Sequence, residues 1–130
     1  MKILLTNNDL NEALLGVSNT GFVPTMGSLH KGHISLIRKS LIQCNKTIVS
    51  IFVNPTQFNN KNDYIKYPRN LKGDLKILNR LKVNFIFIPI KNQIYNSKNS
   101  IKIQLLKKDK ILCAKYRKGH FEGVIDVMTR

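Results

Sequence analysis

The stretch from Gly21 to His33, "GFVPTMGSLHKGH", constrains the fold of this chain more than any other. It reads as a short buried strand, a tight turn at Pro24-Thr25-Met26-Gly27, and a helix opened by His30-Lys31-Gly32-His33. A glycine-containing strand-to-helix turn gathers backbone N–H groups and the positive end of a helix at one point, which suits phosphate. His30 and His33 are three residues apart and share one helical face. Both imidazoles are therefore expected to aim N–H donors at a nucleotide's phosphates. Attack at an α-phosphate needs such donors, fixed where negative charge develops.

The rest of the chain alternates strand and helix. Ile3 to Leu5 reads as a first strand and Asp9 to Leu15 as a weak helix. After His33, the positions Ile34, Ile37 and Leu41 form a helical apolar stripe. "TIVSIFV", Thr47 to Val53, is β-branched and nearly all apolar, as a central parallel strand buried on both faces should be. A loop rich in Asn, Pro and Lys is expected from Asn54 to Asn70. Leu71, Leu75 and Leu78, widened by Ile77 and Leu81, predict another helix. "FIFI", Phe85 to Ile88, predicts a strand stopped by Pro89. Ile101 to Leu106 alternates like an edge strand, and Val124, Val127 and Met128 have helical spacing. This pattern is that of an α/β fold with a doubly wound parallel sheet. The paired histidines would lie at the carboxyl end of one of its strands, where open α/β sheets bind ligands.

Composition narrows the function classes. At 130 residues the chain reads as one domain, residues 1–130, with a real hydrophobic core. No apolar run approaches a membrane span, and "MKILLTNND" lacks the features of a secretory signal, so the cytoplasm is the expected location. Cys44 and Cys113 form no CxxC pair and read as reduced thiols. The formal charge of +15 raises the question of nucleic acid, with the densest basic segment at Lys98 to Lys118. That segment has no aromatic stacking residue except Tyr116, and its lysines are scattered. Abundant Lys, Asn and Ile also fit AT-rich coding, so nucleic acid is the weaker reading.

"VPTMGSLHKGH", "VSIFVNPTQF", "YPRNLKGDL" and "GHFEGV" together resemble successive signatures of the pantothenate synthetase (pantoate–β-alanine ligase) family. The resemblance runs in order from about residue 21 to residue 128. H-x-G-H alone is shared with many nucleotidyltransferases, whereas "SIFVNPTQF" and "YPR" are more specific. The resemblance implies a Rossmann-like fold of the HxGH nucleotidyltransferase superfamily, ATP as substrate with Mg²⁺, and a homodimer. It implies that pantoate's carboxylate attacks the α-phosphate of ATP to give pantoyl adenylate and pyrophosphate. The amine of β-alanine then displaces AMP to give pantothenate.

Residue by residue, the resemblance makes His33 and His30 the catalytic pair at the transferring phosphate. ATP would be held along Met26, Gly27, Ser28, Leu29, His30, Lys31, Gly32 and His33. Gln57 matches the glutamine that binds pantoate, with Pro24, Met26 and His120 nearby. Asn54, Tyr67 and Arg69 would wall the pocket. Asp74 matches an acidic position near Mg²⁺, although by its own sequence context it reads as a solvated acid at a helix N-terminus. Departures are Ala114 after Cys113, Lys118 before Gly119, and a short Leu15–Gly21 segment. The family's later "GxKDxQQ"-type motif and closing loop have no counterpart before Arg130, so the sheet is expected to be truncated and the chain alone not to be a competent ligase. A small HxGH nucleotidyltransferase and a basic nucleic-acid-binding module are the alternatives.

Overall fold

The computed structural model describes residues 1–95 and 120–130. Their contacts divide them into two compact units, Met1–Val53 with Pro68–Gln93, and Asn54–Tyr67 with Ile94–Arg130.

The first unit is a parallel sheet with helices. Its strands are β1 (Lys2–Leu4), β2 (Thr20–Thr25), β3 (Lys46–Ile51) and β4 (Phe85–Phe87), all parallel, in the order β1-β4-β3-β2. Its helices are α1 (Asn7–Leu14), α2 (Lys31–Gln43) and α4 (Leu71–Arg80). The central position of β3 explains its composition: Thr47 to Ile51 are all buried, so both faces must be apolar or hydrogen-bonded. Val23, Val49, Ile51 and Ile86 from the strands meet Ile37 of α2 and Leu78 of α4 in one cluster. This is the α/β parallel sheet the sequence predicts, with Ile37 on the stripe read from the helix spacing.

Boundaries differ where local chemistry decides them. β2 runs through Pro24 and Thr25 instead of turning there. Proline lacks an N–H, but β2 is an edge strand of this sheet, where a missing donor costs no ladder bond. Helix α1 starts at Asn7, because Thr6 and Asp9 form a capping box in which Asp9 N–H donates to Thr6 Oγ1 and Thr6 N–H donates to Asp9 Oδ2. The N–H groups of Leu5 and Thr6 on the Asp9 carboxylate hold its pKa below the ordinary value.

The second unit contains a 3₁₀ turn (Pro55–Gln57), α3 (Lys61–Lys66) and, after the short α5 (Lys91–Ile94) at the boundary, α6 (His120–Met128). The expected loop at 54–70 therefore holds two helical pieces. Asn54 caps the 3₁₀ turn and Asn60 caps α3, each accepting from a backbone N–H. Asn70 does the same for α4 in the first unit. Part of the asparagine content that composition alone assigns to coding bias is thus structural. α6 agrees with the helical spacing at Val124 to Met128. The expected edge strand at 101–106 lies outside the described residues.

Candidate active site

The turn after β2 is built from two successive left-handed residues, Gly27 (φ 79°) and Ser28 (φ 52°). That conformation aims consecutive N–H groups the same way and makes an anion-binding concavity. The sequence assigns this concavity to phosphate. In the structure it already holds an anion, the Asp74 carboxylate. Ser28 N–H donates to Asp74 Oδ2 and Leu29 N–H to Asp74 Oδ1, both at 2.8 Å. Asp74 is 3% exposed, which corrects the expectation of a solvated acid at the start of α4. Burial needs partners for a carboxylate, and the turn's amides supply them.

Gly27 N–H is taken as well. It donates to Thr25 Oγ1 at 3.1 Å, while the Thr25 hydroxyl donates to Ser50 O on β3 at 2.8 Å. Glycine is required at 27 by its positive φ and by space: a Cβ would stand 3.0 Å from Asp74 Oδ2 and 3.3 Å from Ile51. Ser28 Oγ donates to Pro68 O at 2.9 Å. Met26 is half-buried and Pro24 is exposed.

The two histidines cap helix α2 reciprocally. His30 is the N-cap rather than the first helical residue, and its Nδ1 accepts from Gly32 N–H at 3.1 Å. His33 Nδ1 accepts from His30 N–H at 3.3 Å. The ring centroids are 4.0 Å apart. A ring nitrogen that accepts carries a lone pair, so the donor each ring has left for a ligand is its Nε2–H. Burial, and secondarily the neighbouring His30, pull the His33 pKa below its ordinary value, with Asp74 opposing. His33 is therefore a neutral hydrogen-bond donor through Nε2–H.

In the second unit, Asn54 is fully buried and organises the 3₁₀ turn. Its Oδ1 accepts from Thr56 N–H, Thr56 Oγ1 and Tyr95 OH. Its Nδ2 donates to Gln57 Oε1 at 3.0 Å and to Gly123 O at 3.2 Å. Gln57 is 8% exposed, and its amide orientation is set by that bond. Asn54 is thus the hydrogen-bonding centre of this turn. Tyr67 closes α3 with its ring edge-on to Phe58, 5.4 Å between centroids. Arg69 is exposed. His120 begins α6.

Mg²⁺ fits these residues poorly. Asp74 spends both oxygens on amides, and among the described residues no three His, Cys, Asp or Glu side chains gather to hold a metal. Among the same residues, no helix is long and apolar enough to cross a membrane.

Comparison with known proteins places this geometry. The family model described as Pantoate-beta-alanine ligase matches residues 2–130. A pantothenate synthetase from Azobacteroides pseudotrichonymphae genomovar. CFP2 is 44% identical, over 100% of this chain and 48% of that protein. One from Francisella philomiragia subsp. philomiragia is 48% identical, over 95% of this chain and 48% of that protein. The crystal structure of the Francisella tularensis pantoate-beta-alanine ligase complexed with beta-gamma ATP and beta-alanine matches at a TM-score of 0.89 and 44% identity, covering 98% of this chain and 51% of that one. The Thermus thermophilus pantothenate synthetase matches at a TM-score of 0.83 and 31% identity, covering 98% of this chain and 46% of that one. The chain spans about half the length of the curated relatives it matches.

Proposed function

Because the chain belongs to the pantoate–beta-alanine ligase family, we propose that its two-histidine cap receives the phosphates of ATP during activation of pantoate for condensation with β-alanine. The observation that carries this reading is the reciprocal cap itself, which presents Nε2–H of both His30 and His33 as the donors each ring offers a ligand. The Francisella tularensis enzyme of matching fold, solved with an ATP analogue and β-alanine, supports the choice of ligands.

In this reading, pantoate's carboxylate oxygen bonds to the α-phosphorus of ATP as the bond to pyrophosphate breaks. Charge builds on the α-phosphate and its leaving oxygen, and the Nε2–H donors stabilise it by hydrogen bonding. The product is a mixed anhydride whose leaving group is AMP. The β-alanine amine attacks its carbonyl carbon, AMP departs, and the amine loses a proton. Gln57, held by Asn54, binds pantoate in its fixed amide orientation, and Lys31 adds positive charge at the start of α2. The family resemblance alone assigns Pro24, Met26 and His120 to pantoate and Tyr67 and Arg69 to the pocket wall. Mg²⁺, when bound, offsets phosphate charge. No residue that the structure describes is assigned to it. A cytoplasmic homodimer completes the reading.

Pantoate-dependent ATP–pyrophosphate exchange tests it. Exchange that needs pantoate and vanishes in His33→Ala supports the proposal. Exchange indifferent to pantoate favours a nucleotidyltransferase. Folded protein that neither exchanges nor binds ATP refutes the proposal. ATP binding without exchange would show that adenylation needs residues outside this chain.

A further inference from the structure

We infer that Asp74 is the positioning residue of the two-histidine cap: its carboxylate fills the amide cradle of the Gly27–Leu29 turn and thereby fixes which nitrogens His30 and His33 present. The inference takes from the proposed function only that these two rings face phosphate.

The chain of contacts is continuous. Asp74 binds the N–H groups of Ser28 and Leu29 from α4, while Thr25 binds the N–H of Gly27 from β2. Three successive amides are therefore pinned from two elements. The next amide, of His30, donates to His33 Nδ1, and Gly32 N–H donates back to His30 Nδ1. If the turn rotated, the His30 N–H would swing away from His33. Both rings would then be free to carry their proton on either nitrogen. The lack of room for a Cβ at Gly27 shows how closely Asp74 is seated.

The filled cradle also has a consequence for recognition. A phosphate entering it would meet a carboxylate of like charge, with the amides already taken. Anionic ligand groups are thus left to the imidazole Nε2–H groups and Lys31, and the turn acts as a support rather than as the binding surface. This division differs from glycine-rich loops whose own amides cradle phosphate.

Histidine ring ¹⁵N NMR and amide hydrogen exchange on the ligand-free chain test this without any activity, so the result stands apart from the fate of the proposed function. In Asp74→Asn, one side-chain oxygen remains to accept and the other is replaced by a donor. The Ser28 and Leu29 amides should exchange about tenfold faster, as loss of a charge-assisted hydrogen bond dictates. The ring signals of His30 and His33 should move from a well-separated Nδ1/Nε2–H pattern toward the averaged pattern of mixed tautomers. Gly27→Ala, which pushes on the same carboxylate, should do likewise. Faster amides with unchanged ring signals would overturn the inference, since Asp74 would then hold only the turn. Unchanged amides would overturn it as well. Loss of folded amide dispersion in both variants would place Asp74 in the stability of the fold rather than in the cap, and would equally overturn it.

Discussion

Replacing Asn54 by alanine removes five hydrogen bonds from one fully buried side chain. The partners are not equal. Thr56 and Tyr95 are close enough to solvent for water to replace Asn54 at their groups. The bonds to Gln57 Oε1 and Gly123 O lie in buried surroundings, where each hydrogen bond contributes a net ~0.5–1.5 kcal/mol. Two such bonds, taken near the middle of that range, give a loss of about 2 kcal/mol. Equilibrium urea denaturation reads it directly. With a slope of about 1–3 kcal/mol/M, the midpoint should fall by roughly 0.7–2 M at an unchanged slope. A fall of only a few tenths of a molar, about 0.5 kcal/mol, would mean that water takes over the whole hub, and the reasoning would be wrong. The double variant with Tyr95→Phe adds a check. The Asn54–Tyr95 bond is lost in either single variant, so the two changes together should cost less than their sum.

Leu78→Ala should cost about 2–5 kcal/mol in the same denaturation experiment, because Leu78 is fully buried in the cluster between α4 and the sheet. Gly123→Ala should destabilise the second unit, since its Cβ would stand 2.7 Å from the carbonyl oxygen of Thr56, a backbone atom that cannot swing aside. The measurable outcome is faster hydrogen exchange at the amides of the 3₁₀ turn. The lowered His33 pKa sets a pH dependence. As pH falls below the ordinary histidine value, the unfolded chain takes up a proton before the folded chain does, so stability falls and levels off only below the folded pKa. Thermal unfolding between pH 7.5 and 5.5, both values chosen to bracket about 6.5, should show that decline. His33→Gln should flatten it, and an equally steep decline in the variant would contradict the assignment.

The sheet was legible because period and composition carry it. Thr47 to Val53 announces a strand buried on both faces, and Ile37 and Leu78 sit on stripes that can only face a core. For the candidate site the sequence offers residue types: H-x-G-H at a strand end points to phosphate chemistry, and the family resemblance of "VNPTQF" singles out Gln57 and Asn54. What pairwise spacing could not convey was who satisfies whom. Ser28 and Leu29 lie 46 and 45 residues from Asp74, and no local pattern reveals that a carboxylate from α4 fills the turn. Asn54 and Gly123 are 69 residues apart, so the hub around Gln57 was equally hidden. The reciprocal histidine cap lay in plain view at N-cap and N3 spacing. It was missed because capping boxes are usually read from Ser, Thr and Glu, although an imidazole Nδ1 accepts just as well.

Everything proposed for the site turns on His30 and His33 meeting the phosphates of ATP through Nε2–H while their Nδ1 atoms stay in the cap. Titrating the histidine-labelled chain with a non-hydrolysable ATP analogue and following the ring nitrogens tests this most directly. Both Nε2–H signals should move on binding, and both Nδ1 signals should keep their accepting character. Binding that moves Nδ1 instead, or that leaves both rings untouched, would contradict it.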